Sequence, residues 1–246
     1  PKQCPDVMVL GARGSGQVPQ GKDAYSKAKH RGLGGEIELF AQRLAALGKL
    51  DGLTVEAQAI EYPAVPVFDN FQPWKKEIFE AMSEGELNAV DAMEKIDSRC
   101  NRAQTVTHFV LAGYSQGAGV VRQTMTSLPK PLRPKVLAAV NVADPYFSGQ
   151  HGKVMGGADL RRLGITSLGA HLLDDRWSGD RNYHVCVKKD IVCQAFDAST
   201  KRRIFTSIGK IALGPWSSAF SGSEKVAGIA IHVLAYQQKN LVFAVA

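Results

Sequence analysis

Nowhere in its 246 residues does the sequence hold the eighteen or so consecutive uncharged apolar residues that would cross a bilayer as a helix. A soluble or peripheral chain is therefore expected, with no transmembrane segment. The sequence also lacks internal repeats and low-complexity tracts, which sets aside repeat arrays and tail-like segments. A nucleic-acid motif is missing too. The net charge is +7, from 30 Lys and Arg against 23 Asp and Glu, enough for weak attraction to anionic surfaces. The basic residues are scattered, however, and the densest clusters, Lys188-Lys189 and Lys201-Arg202-Arg203, stand alone, so no nucleic-acid partner is expected. Cysteine is scarce: Cys4, Cys100, Cys186 and Cys193. The spacing of Cys186 and Cys193 is too wide for a thioredoxin motif, and no matching Cys/His pair suggests zinc. No metal and no cofactor are expected. Four cysteines allow three pairings, and their spacing does not choose among them. The start, Pro1-Lys2-Gln3-Cys4, carries no signal peptide and suits a mature chain whose export segment has been removed, so a secreted protein is expected.

What is present is ordinary for a globular protein: 45% hydrophobic and 22% charged residues. Short apolar runs at 7–10, 53–60, 109–113, 136–143 and 183–187 alternate with segments of helical spacing. This pattern predicts an α/β fold, doubly wound about a central five-stranded parallel sheet, in a single domain over 1–246. A helix over 36–47 places Ile37, Phe40, Leu44 and Leu47 on one face, and a second over 75–96 continues the pattern with a break near Gly85. A third, 117–128, is stopped by Pro129 and Pro131. Three long stretches, 17–35, 148–180 and 198–222, fit no regular element. Such loops usually bind, cover or move.

Gly113-Tyr114-Ser115-Gln116-Gly117 follows the third strand and opens the third helix. G-x-S-x-G in that setting is a nucleophile elbow, a sharp turn that projects the serine from the sheet's carboxyl edge while the glycines let strand and helix approach. A serine nucleophile needs a base, and the base needs a carboxylate to orient it. Chain order in such hydrolases runs Ser, acid, His. That excludes His30 and His108 and leaves His151, His171, His184 and His232. His184 sits inside an apolar strand and reads as structural, whereas His232 comes last, after the final strand. The acid is one of Asp144, Asp174, Asp175, Asp180, Asp190 and Asp197. Asp190 stands out because it lies just past the last predicted strand, between Cys186 and Cys193. The oxyanion hole calls for the backbone N–H of Gln116 and a donor from the loop after the first strand, Gly11 to Gly16, where Ser15 can donate from backbone and side chain. That loop lacks both the G-K-[ST] ending of a phosphate loop and the G-x-G-x-x-G spacing of a dinucleotide loop.

Together these segments resemble the cutinase family of serine esterases. Ala12-Arg13-Gly14-Ser15 matches its oxyanion loop, Gly113 to Gly117 its G-Y-S-Q-G, Asp190-Ile191-Val192-Cys193 its D-x-x-C, and His232-Val233-Leu234-Ala235-Tyr236 resembles its H-x-x-Y. The resemblance implies an α/β hydrolase fold and disulfides Cys4–Cys100 and Cys186–Cys193. It also implies a catalytic triad of Ser115, Asp190 and His232, with an oxyanion hole from Ser15 and Gln116. The expected activity is hydrolysis of carboxylic esters through an acyl-enzyme by a secreted monomer, with an ester substrate presented at a lipid or polymer surface. Forty-one residues separate Asp190 from His232, more than in compact family members. Within them Ile204, Ile208 and Ile211 recur at helical spacing beside basic residues, so 198–222 is expected to form a lid favouring medium to long acyl chains. The rivals are an acetylxylan-type carbohydrate esterase and a noncatalytic binding protein on the same fold.

Overall fold

Alternation along two strands divides the core into two layers. In β1 (Val7–Ala12), Met8, Leu10 and Ala12 enter one apolar cluster, while Val7 and Val9 enter the other. β3 (His108–Tyr114) repeats this, with Phe109 and Leu111 on the first face and Val110 and Ala112 on the second. Strands buried on both faces in this way belong inside a parallel sheet covered by helices. The computed structural model describes residues 4–17, 29–67, 76–149, 152–166, 173 and 175–197.

The other strands are β2 (Val55–Ala59), β4 (Val136–Val142), β5 (Lys153–Met155), β6 (Arg162–Leu163), β7 (Asn182–Val185) and β8 (Phe196–Asp197). β2, β1, β3, β4, β7 and β5 pair in that order, all parallel, and β6 with β8 forms a separate antiparallel pair. The sheet thus has six strands where five were expected. The sixth, β5, is three residues long, too short for a two-residue period to register, and lies within a stretch read as irregular.

Helix α1 (Gly35–Leu50) lays Ile37, Phe40 and Ala41 on the second face. Leu47, expected on the same stripe, is instead 44% exposed in the last turn of the helix. Helices α2 (Lys76–Arg102) and α3 (Gln116–Ser127) cover the first face, with Ile78, Met82, Met93, Val120, Val121 and Met125 in its cluster. α2 runs unbroken through Gly85. A side-chain carbon there would come within 2.8 Å of Val120 on α3, so this glycine marks close helix packing and no break. Cys4 bonds Cys100 near the end of α2, with Cα atoms 5.6 Å apart, and ties the start of the chain to that helix. In the chain-entropy model, closing about 100 residues stabilises by about 4.7 kcal/mol.

Because β1 is followed by β2 on one side and neighboured by β3 on the other, the chain order reverses between β1 and β3. The carboxyl ends of these two strands flank the crevice where open α/β sheets bind ligands.

Candidate active site

Ser115 occupies the one-residue junction between β3 and α3, at φ 55° and ψ −118°. A non-glycine residue holds such a conformation only when its surroundings enforce it, at a cost of about 1–3 kcal/mol. Here the enforcing contacts are visible. The Ser115 amide donates to the Val142 carbonyl on β4 (2.8 Å), and its carbonyl accepts from the amide of Ala118 (2.9 Å) inside α3. A side chain on Gly113 would strike the Gly117 carbonyl, and one on Gly117 would strike the Ala12 carbonyl. The elbow therefore depends on both glycines for the approach of β1, β3 and α3.

As the first residue of α3, Gln116 carries an amide with no intrahelical acceptor, at the positive end of the helix. Its side chain reaches in two directions. Oε1 lies 3.4 Å from the Ser15 hydroxyl and Nε2 3.4 Å from the Ile78 carbonyl. The loop after β1 is thereby brought against the elbow. A clasp that the sequence did not reveal holds this loop. The buried Arg13 guanidinium donates to the Tyr62 carbonyl and lies over the Tyr62 ring, 4.9 Å from its centre, while the Tyr62 hydroxyl donates back to the Arg13 carbonyl. Gly16 adds a bond to Ala64 (2.9 Å). Both partners follow β2, and only the three-dimensional pairing of β1 with β2 brings them to the site.

Ser15, Ser115 and Gln116 line one cleft. Its remaining walls are mainly apolar, from Val67, Ile78 and Met82 on the helical side of the chain and from Pro145, Ile165 and Val192 after β4 and β7. Thr166 completes it.

Asp190 is fully buried in the loop that the Cys186–Cys193 disulfide closes, with Cα atoms 6.1 Å apart. One carboxylate oxygen accepts the Val192 amide at 2.7 Å, and Val192 itself faces the cleft. Burial pushes the Tyr114 phenol upward, and the negative charges of Glu36 and Asp190 push it further, which puts Asp190 in the electrostatic field of the residue before Ser115. Two of the rival carboxylates are engaged elsewhere. Asp144 sits 3.2 Å from Arg122 and 3.2 Å from His184 Nδ1, and Asp175 sits 2.9 Å from Arg122 and accepts from Asn182. His184 is accordingly a buried structural histidine. His108 begins β3 at the opposite end of the sheet from Ser115. His151, His171, His232, Asp174 and the segment 198–222 lie outside the described residues. Among the described residues, no group of three His, Cys, Asp or Glu could hold a metal ion, and no helix is long and apolar enough to cross a membrane.

A serine on a strained strand–turn–helix junction, at the carboxyl edge of a doubly wound parallel sheet, defines the α/β hydrolase class. Residues 3–207 match the family model described as Cutinase, and the chain belongs to that family. The matched span contains Ser15, Ser115 and Asp190 and ends before His232. Carboxylesterase Culp1 of Mycobacterium tuberculosis is 27% identical over 161 residues, covering 65% of this chain and 61% of that protein. Phospholipase Culp4 of the same species is 29% identical over 128 residues, covering 52% and 43%. The chain thus spans less than two thirds of the curated relatives it matches. In fold it is similar to the catalytic core domain of acetyl xylan esterase from Trichoderma reesei, at TM-score 0.55 and 20% identity over 86% of this chain and 97% of that one. Lysin B from Mycobacteriophage D29 is also similar, at TM-score 0.52 and 18% identity over 99% and 88%.

Proposed function

We propose that the protein hydrolyses carboxylic esters through an acyl-enzyme on Ser115. The observation that carries this reading is the strained backbone of Ser115 in the lining of an apolar cleft, beside Ser15 and Gln116. In this mechanism Ser115 Oγ attacks the ester carbonyl while His232 takes its proton and returns it to the leaving alcohol. Asp190 orients His232 and stabilises the imidazolium. Charge developing on the carbonyl oxygen is met by the Gln116 amide and by Ser15, two groups already held in place before the reaction begins. His232 is assigned from chain order, from its likeness to the family's H-x-x-Y segment, and from the engagement of His184 elsewhere. Water then attacks the acyl-enzyme with the same histidine as base.

The apolar walls support acyl chains of medium to long length, with the substrate drawn from a lipid or polymer surface. A single domain over 1–246, with 198–222 as its lid, and export to an oxidising compartment suited to two disulfides complete the proposal. The test is a p-nitrophenyl ester series from C2 to C16, run beside labelling by a fluorophosphonate probe. Hydrolysis should peak well above acetate and the probe should attach to Ser115. A maximum at acetate would replace this substrate class with an acetylxylan-type one, and failure of the probe to react would leave a noncatalytic binder.

The short disulfide gives a second test. Closing a loop of about eight residues is worth about 2.5 kcal/mol in the chain-entropy model, less than the long Cys4–Cys100 bridge. Yet the short bridge frames the acid. Cys186→Ser/Cys193→Ser should therefore reduce kcat more than Cys4→Ser/Cys100→Ser does, measured well below either melting temperature. The reverse ranking would detach Asp190 from catalysis.

A further inference from the structure

Among the described residues, every polar one lining the cleft can be accounted for except Thr166. Ser115 is the nucleophile, and the side chains of Ser15 and Gln116 lie against each other. Thr166 lines the same cleft and is 95% buried by its 5% exposure, but its hydroxyl is buried without a partner among the described residues. Its backbone is firmly placed: the Thr166 amide donates to the Pro145 carbonyl (2.8 Å), and the preceding Ile165 amide donates to Val192 (2.7 Å) in the Asp190 loop. The segment is thus stitched to the Pro145 and Val192 segments of its own wall, and only the hydroxyl is unassigned. A buried hydroxyl left unpaired weakens the fold relative to a valine of the same shape. The side chains beside it along the wall, Ile165, Val192 and Pro145, are apolar and offer it nothing to bond.

We propose that the Thr166 hydroxyl is a polar subsite that binds a second oxygen of the ester, so that the cleft selects esters bearing a hydroxyl near the scissile bond. This rests on the reading of Ser115 as the nucleophile. That reading fixes one end of the substrate, and Thr166 then meets whatever lies a few bonds away. A hydroxyl can donate or accept, so a substrate hydroxyl satisfies it in either sense. The oxygen has two sources, the acyl group or the alcohol, and both present the same chemistry to Thr166.

The experiment uses two matched pairs: ethyl hexanoate against ethyl 3-hydroxyhexanoate for the acyl side, and ethyl butyrate against 2-hydroxyethyl butyrate for the alcohol side. In the wild-type protein one pair should favour the hydroxylated ester about tenfold in kcat/KM, the size of one neutral hydrogen bond made in a dry site. Thr166→Val should bring that ratio to about one, and Thr166→Ser should keep it. The melting temperature of Thr166→Val should equal or exceed that of the wild type, because the variant removes an unpaired polar group. Equal rates within both pairs, or a ratio that survives Thr166→Val, overturns the subsite. A clear fall in the melting temperature of Thr166→Val overturns it as well, since the hydroxyl would then serve the fold. If the wild type hydrolyses none of the four esters yet reacts with the fluorophosphonate probe, the subsite alone fails; if the probe does not react either, the esterase reading fails with it.

Discussion

Ser115→Ala will abolish ester hydrolysis, lowering kcat by about 10⁴-fold or more, while the melting temperature stays close to that of the wild type. Alanine keeps the Cβ that the elbow already accommodates at φ 55°, so the backbone bonds to Val142 and Ala118 remain and only the attacking oxygen is lost. The informative companion is Ser115→Gly. Glycine adopts positive φ without the Cβ penalty, so this variant should be as inactive as the alanine one but more stable, by about 1 kcal/mol. The pair separates two explanations of the strained junction. If the strain is held for chemistry, relieving it stabilises an inactive protein. If Ser115→Gly is instead destabilised, the serine contributes to the fold, and the junction is a structural turn. Activity within tenfold of wild type in Ser115→Ala would move the nucleophile elsewhere. Thermal unfolding by circular dichroism, alongside p-nitrophenyl ester turnover, reads both quantities.

The parts of this site that were legible in the sequence are local ones. Gly113 to Gly117 announces an elbow because a turn between strand and helix needs small residues at fixed offsets, and the Gly113 and Gly117 contacts are the physical content of that motif. Asp190 stood out because Cys186 and Cys193 bracket it within eight residues. Strands β1, β3 and β4 were legible because burial on both faces leaves continuous apolar runs. The features that escaped notice depend on pairings far apart in sequence. Tyr62 clasps Arg13 across 49 positions, and nothing near Tyr62 signals it. Thr166 lies between Pro145 and Val192, in a stretch read as irregular because its regular pieces are two or three residues long. In the sequence Gly85 reads as a helix break since glycine is a poor helix former, but contact between α2 and α3 outweighs that local preference. Six strands replaced five for the related reason that β5 is held by pairing with β7 and not by its own pattern.

Replacing Arg122 with methionine will destabilise the protein by about 3–5 kcal/mol, because it strands two buried carboxylates. Arg122 projects from α3 with 3% of its side chain exposed and lies 3.2 Å from Asp144 and 2.9 Å from Asp175, themselves 0% and 2% exposed. His184 of β7 shares the Asp144 oxygen, and the Tyr146 amide bonds its other oxygen at 2.8 Å. Asn182 holds Asp175 at 2.8 Å. The cluster therefore fastens α3 to the segment after β4 and to β7 with the residues that lead into it. For a chain of this size the loss corresponds to a fall of about 6–20 °C in melting temperature. The pH dependence has a definite sign. Burial alone would raise the Asp144 carboxyl, but the Arg122 charge and the bonds from His184 and Tyr146 override it and hold the group below its ordinary 3.8. Such a depressed carboxylate stabilises the fold above its unfolded pKa, and that contribution disappears as pH falls below about 4 through the lowered folded value. In Arg122→Met the balance reverses, since burial is then opposed by less positive charge and protonation relieves the stranded carboxylate. The stability gap between wild type and variant should consequently be widest near neutrality and narrow toward pH 3 to 4. Combining Arg122→Met with Asp144→Asn and Asp175→Asn should recover much of the loss, because the penalty lies in the unpaired charges and not in the missing guanidinium. A variant melting within about 2 °C of wild type at pH 7, or a gap that widens in acid, would show that the cluster does not carry the attachment of α3 to the sheet.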